Sequence, residues 1–134
     1  MSRRWRRCVA QALVEFALVF PLITFLSLGV LQLVLYAHAG DVVTSSAQEG
    51  ARLAAEDGRG VEEGRARAQA LVVSGLGSSV DPLYVDGSTD ERADAIRVRI
   101  DAALHPILPL PLVGALPVHA EAVVARERFR PGGS

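Results

Sequence analysis

The sequence predicts an α+β chain: a long N-terminal transmembrane helix continuing into an amphipathic stem, a second short helix, and a small antiparallel β-sheet. Three observations carry this. The run 16–36 holds no charged residue and is interrupted only by Thr24, Ser27 and Gln32. The segments 41–56 and 61–73 place their apolar residues at helical spacing. The last third switches to two-residue alternation, in 95–104 and again from Val118 onward. The expected divisions are a basic cytoplasmic leader over 1–10, the spanning helix over 11–38, and an extracytoplasmic stem with a small α+β domain over 39–134.

As a helix, the charge-free run rises roughly 31 Å, enough to cross the hydrocarbon core. Arg3, Arg4, Arg6 and Arg7 precede it, and no acid occurs in residues 1–10. With 14 basic and 15 acidic residues in the chain, setting those four arginines aside leaves 10 against 15, a balance of −5. Positive charge on one flank of a span predicts a cytoplasmic flank, which puts the C-terminal part outside a bacterial cytoplasmic membrane. Pro21 removes one backbone donor and crowds the carbonyl of Ala17, so a helix kink is expected there. Tyr36 fits an interfacial anchor at the outer edge. The chain beyond the span is long enough to bury one small core at most.

Past the span, Val43, Ala47, Ala51 and Ala54 form a narrow stripe of small apolar residues, while Thr44, Gln48, Arg52 and Glu56 are polar. Small residues permit close approach, either to the chain's own sheet or to a neighbouring stem. Gly40 and Gly50 each weaken a helix by about 1 kcal/mol against alanine. Gly58-Arg59-Gly60 breaks it. In the second helix Val61, Ala68, Leu71 and Val72 point inward and Glu62, Glu63, Arg65 and Arg67 outward, with Gly75 and Gly77 expected to end it.

Ile96, Val98, Ile100, Ala102 and Leu104 make one buried strand face, and Val118, Ala120, Ala122 and Val124 another. An antiparallel pair of 95–104 with 118–127 is the simplest topology, with Arg97 or Arg99 facing Glu121 on the wet side. Leu83 to Val85, before Asp86-Gly87, adds a short third strand. Between the two main strands, Pro106, Pro109, Pro111 and Pro117 exclude a regular helix or a central strand. The apolar residues of that connector, Ile107, Leu108, Leu110 and Leu112 among them, either cover the core or offer a partner surface. The polar tail 126–134 should fray.

Catalytic chemistry is not visible. His38, His105, His119 and Cys8 lack metal-ligand spacing. Ser74-Gly75-Leu76-Gly77 is not a nucleophile elbow, and Gly58-x-Gly60-x-x-x-Gly64 misses the dinucleotide spacing. A single cysteine excludes an internal disulfide. Basic residues beyond the leader are diluted by acids, which argues against nucleic-acid binding; the leader arginines suit inner-leaflet phospholipid. The expectation is therefore a non-enzyme with no cofactor, no metal and no small-molecule substrate, in contact with membrane lipid.

The N-terminus admits three readings. A secretory signal peptide would be cut near Ala37-His38-Ala39, after an unusually long apolar run. An uncleaved single-pass anchor is the second. A leader cut on the cytoplasmic side, before the apolar run, is the third, and it alone gives Glu15 a purpose. An ionised Asp at the centre of a span costs about 2.5–3.5 kcal/mol, with Glu expected to be similar and the cost smaller near the end. Cleavage between Ala10 and Gln11 makes Glu15 the fifth residue of the product. The new terminal ammonium of an adjacent subunit, shifted along the axis, then neutralises the carboxylate and sets the helix register.

Gln11-Ala-Leu-Val-Glu15-Phe16-Ala-Leu-Val-Phe-Pro21, with Gln48-Glu49-Gly50-Ala51-Arg52 after the span, resembles TadE-like pseudopilins of tight-adherence (Flp-type) pili. The resemblance covers 11–55 and is architectural beyond it. It implies a pilin-like fold, removal of the leader by a prepilin peptidase at Ala10 and Gln11, and a methylated new amine. It also implies partners among other pilins, pseudopilins and pilus assembly proteins, with Glu15 and Phe16 as the processing and assembly motif. Ala10 departs from the glycine usual before the cut. The rival is an uncleaved, membrane-tethered extracytoplasmic binding module that uses the connector and sheet as its docking surface.

Overall fold

The computed structural model describes residues 3–56, 58–106 and 114–126, with side chains from residue 10 onward. Two helices and three strands succeed one another: α1 (Arg3–Ala55), α2 (Val61–Leu76), β1 (Val80–Asp90), β2 (Ala95–Leu104) and β3 (Leu116–Ala125). The chain divides into two compact units, Met1–Leu35 and Tyr36–Ser134, and α1 supplies residues to both.

In the first unit every described residue is helical, Pro21 included. Its described apolar side chains are uncovered all round, and among the described residues only Leu28 and Gln32 are half-buried. The hydroxyls in this apolar stretch bond to their own helix: Thr24 Oγ1 donates to the Phe20 carbonyl at 2.9 Å, and Ser27 Oγ to that of Ile23 at 2.8 Å. That internal satisfaction makes both tolerable in hydrocarbon, where an unpaired polar group costs several kcal/mol.

The second unit is an α+β fold built on the stem part of α1. The predicted stripe is the buried one: Val43, Ala51 and Ala54 are fully buried and Ala47 nearly so, joined by Ala39 and Ala55. They share one core with Ala68 and Val72 of α2 and with Ile96, Val98 and Ile100 of β2. Full burial of Ile96 and Ile100 contributes about 1.5–3 kcal/mol each. Gly50 is where α1 and α2 touch backbone to backbone: a Cβ built there would lie 2.7 Å from the Gly64 carbonyl oxygen and 2.8 Å from the Ala68 Cβ. The reciprocal Cβ on Gly64 would collide with the Gly50 carbonyl oxygen. The glycine that weakens the stem as a helix is thus the one that admits its neighbour.

Helix α2 starts after Gly60, which is extended, and carries Glu62 and Glu63 in its first turn, where acids favour the helix dipole. It runs three residues beyond the predicted end. Gly75 does not terminate it, because that glycine accommodates Val42, whose Cγ1 would meet an added Cβ at 2.8 Å. Gly77, at φ 56°, supplies the stop, and a short 3₁₀ turn over Gly77–Ser79 leads into β1.

The sheet is antiparallel with β2 in the middle. Ile100 sits between Val85 and Ala120, and Leu104 between Val80 and Leu116. β1 is far longer than predicted and continues through Asp86-Gly87, with Gly87 opposite Val98. Gly87 makes no turn; it leaves room for α2, since a Cβ there would meet Val61 Cγ1 at 2.5 Å. The reversal comes later, at 91–94, where the Asp90 carboxylate accepts the Arg92 and Ala93 amides at 3.0 and 3.2 Å. β3 starts two residues earlier than predicted and includes Pro117, which is admissible because β3 is an edge strand.

On the wet face Arg99 stands opposite Glu121 in the register, yet Arg97 takes that acid diagonally at 2.7 Å. Arg99 instead forks onto Asp101, with Nε at 2.8 Å and Nη2 at 3.2 Å. The Arg97–Glu121 pair is exposed and stabilises by under about 1 kcal/mol. The hydrogen bond from Arg99 holds the Asp101 carboxyl below its ordinary value. A depressed carboxyl contributes stability above its unfolded value and loses it as pH falls through the folded one. Thermal melts across acid pH should therefore find Arg99→Gln converging with the parent below the ordinary carboxylate range. A gap between the two that stays constant with pH refutes the coupling.

Candidate assembly segment

The N-terminal motif is carried by the exposed start of α1. Ala10, Gln11, Val14, Glu15 and Leu18 line one shallow face, at the spacing that stacks side chains on successive turns. Gln11 and Glu15 lie one turn apart, about 6 Å along the axis. Because helical side chains lean toward the N-terminus, the Glu15 carboxylate leans toward the Ala10–Gln11 peptide bond. Its surroundings are apolar and open: Leu13, Val14, Phe16 and Leu18 are each 61–73% exposed. Among the described side chains no hydrogen bond or ion pair engages Glu15.

Phe16 is on the adjacent flank and packs against Phe20, with ring centroids 5.5 Å apart and planes tilted by 30°. Such a pair one turn apart stiffens the segment just past Glu15. Pro21 comes immediately after, within the same unbroken helix. Glu15, Phe16 and the Ala10–Gln11 bond therefore share two turns of helix, and Pro21 lies in the next. The residues expected as a partner surface, Ile107, Leu108, Leu110 and Leu112, lie outside the described residues. Only their flanks are described, His105 and Pro106 on one side and Gly114 and Ala115 on the other.

One contact had no signature in the sequence. Tyr36 Oη donates to the Pro117 carbonyl at 3.0 Å, across a separation of 81 residues. The aromatic residue marking the end of the apolar run thus also fastens the first turn of the stem to an edge strand.

Among the described residues, no cluster of three or more His, Cys, Asp or Glu side chains is arranged to hold a metal ion. One helix among the described residues, Ala10–Ala55, is long and apolar enough by length and composition to cross a membrane. No curated protein and no solved structure matches the chain. A family model described as "TadE-like protein" does match, over residues 10–52, a stretch that holds Glu15, Phe16, Pro21 and the stem segment Gln48-Glu49-Gly50-Ala51-Arg52. Over that stretch the chain is similar to TadE-like proteins.

Proposed function

We propose that this protein is a minor pseudopilin of a tight-adherence (Flp-type) pilus, anchored in the cytoplasmic membrane by α1 and matured by a prepilin peptidase that cuts between Ala10 and Gln11. The TadE-like match supports the coarser statement, a pilus-associated structural or assembly component rather than an enzyme. The observation that carries the finer reading is Glu15. It is an acid on an open apolar helix face, one turn from the bond whose cleavage creates a positive charge.

Mechanistically, cleavage frees an ammonium on Gln11. Paired with Glu15 of an adjacent subunit, it cancels two charges that the hydrocarbon disfavours separately. The attraction is directional along the stack, because each subunit offers the amine about one turn away from its own acid. Phe16, Phe20 and the spanning face add packing once the register is fixed. A kink at Pro21 sets the course of the helix beyond the paired charges. The leader arginines keep the uncut chain oriented, with its N-terminus at the inner leaflet.

Intact-mass analysis of the membrane-extracted protein tests the reading. Loss of residues 1–10, together with one added methyl group on the new amine, is the expected result. A full-length chain in piliated cells defeats it and leaves an uncleaved tethered binding module.

A further inference from the structure

We infer that one end of the Tyr36–Ser134 unit, the end bearing Tyr36, Ser79, His105 and Pro117, is seated on the lipid surface of the membrane. The inference rests on the reading of the apolar segment as a span. It goes further by assigning a lipid contact to the folded unit itself.

Several element ends converge there. The Tyr36–Pro117 hydrogen bond sets the start of β3 beside the first residue after Met1–Leu35. The His105 amide donates to the Ser79 carbonyl at 2.9 Å, tying the end of β2 to the turn after α2. Val80, Leu104 and Leu116 face one another across the sheet, so all three strands stop at this level. The C-terminal turn of α2 is fixed against the early stem where Gly75 meets Val42.

The chemistry of this end differs from that of the other. No formally charged residue occurs in 68–80 or in 102–120. Going outward from the strand ends, the first acids are Asp81 and Asp101, and Asp41 is the first on the stem. Val73, Ser78, Ser79, Gly114, Ala115 and Pro117 are exposed there and carry no formal charge, and the exposed Asp81, one residue into β1, marks the edge of that surface. The opposite end gathers the ions. Arg59 pairs with Glu56 at 3.1 Å and with Glu63 at 3.2 Å, and the turn after β1 carries Asp90, Glu91 and Arg92. A recess lined by Arg52, Glu56 and Val124 belongs to that charged end as well.

A lipid surface discriminates between two such ends. Removing ions from water costs several kcal/mol apiece, whereas an uncharged end loses little and an interfacial tyrosine gains. Chain connectivity agrees. The charge-free apolar run closes with Tyr36, so Tyr36 enters the headgroup region and carries Pro117 with it.

Three glycines provide reporters. Gly29, Gly60 and Gly114 each have open space where a Cβ would stand, and none adopts a positive φ. Each is changed to cysteine (Gly29→Cys, Gly60→Cys, Gly114→Cys) in a Cys8→Ser background and labelled with an environment-sensitive fluorophore. The full chain is then reconstituted into vesicles of phosphatidylcholine and phosphatidylglycerol. Lipids with a nitroxide on the acyl chain, near the headgroup or deeper, serve as quenchers. The expected result is blue-shifted, quenched emission at Gly29 and Gly114, with the shallow nitroxide the better quencher of Gly114, and no quenching at Gly60. Quenching at Gly29 with Gly114 as unresponsive as Gly60 overturns the seating and leaves the span standing. Equal quenching at Gly60 and Gly114 overturns it too, since the unit then has no lipid-facing end. No quenching at Gly29 removes the span itself, and the inference with it. Ala115→Cys, one residue along at an exposed position, repeats the measurement if Gly114→Cys fails to fold.

Discussion

Replacing Glu15 with alanine is expected to leave membrane insertion intact and to abolish pilus formation. Alanine is the best helix former, so the start of α1 persists. Removing a charge from the edge of an apolar helix also lowers the cost of entering lipid, so the membrane-bound amount should not fall. What disappears is the one group on that face able to hold a neighbour's amine. Glu15→Gln keeps the shape and helix preference but loses the charge, and it should fail in the same way; Glu15→Asp keeps the charge on a shorter arm and should retain part of the function. The readouts are the membrane-fraction content of the protein and the yield of sheared pili. Normal piliation with Glu15→Ala removes the electrostatic mechanism. Loss of the protein from membranes would place the role of Glu15 in insertion instead.

A second large effect belongs to the crossing of α1 and α2. In an exposed helix, glycine to alanine stabilises by up to about 1 kcal/mol. Gly40→Ala should behave this way, because its Cβ would meet nothing within 4 Å. Gly50→Ala should do the reverse. Its methyl would fall 2.7 Å from a backbone oxygen and 2.8 Å from the Ala68 Cβ, and neither atom belongs to a flexible side chain that can swing aside. Forcing the helices apart costs about 1–3 kcal/mol, typical of overpacking, and Gly64→Ala should match it from the other side. Chemical denaturation of the detergent-solubilised full chain, followed by circular dichroism, gives both signs in one series. If Gly50→Ala raises stability as Gly40→Ala does, the backbone contact is not closely packed.

Much of this was legible in the chain. The stripe Val43, Ala47, Ala51 and Ala54 was readable because burial at helical spacing leaves a periodic trace, and β2 was readable because its buried residues alternate from Ile96 to Leu104. The motif around Glu15 was readable because an acid beside a long apolar run is costly and therefore conspicuous. Four features escaped, each for a physical reason. Gly50, Gly75 and Gly87 read locally as weak points or terminators and Gly64 only as part of a rejected glycine motif, whereas their purpose lies in what presses against them from another element. The extent of β1 was hidden because its inward position after Val85 is Gly87, which has no apolar side chain to continue the pattern, and Ser88, Thr89 and Asp90 beyond it are polar and exposed. The Tyr36–Pro117 bond joins residues too distant in sequence for any local signal, and which acid Arg97 and Arg99 each take depends on side-chain reach that the register alone does not fix.

The sheet has a middle strand and two borders, and the borders bear on how such a protein survives crowding. Among the described residues, neither β1 nor β3 has a second strand beside it. Unpaired strand borders invite other copies to stack on them. β1 carries Asp81, Asp86 and Asp90 with no base, so two β1 borders repel each other, and Pro117 withholds an amide from β3. Exchanging those aspartates for threonine removes that repulsion and should promote pairing of copies along β1 at high local density.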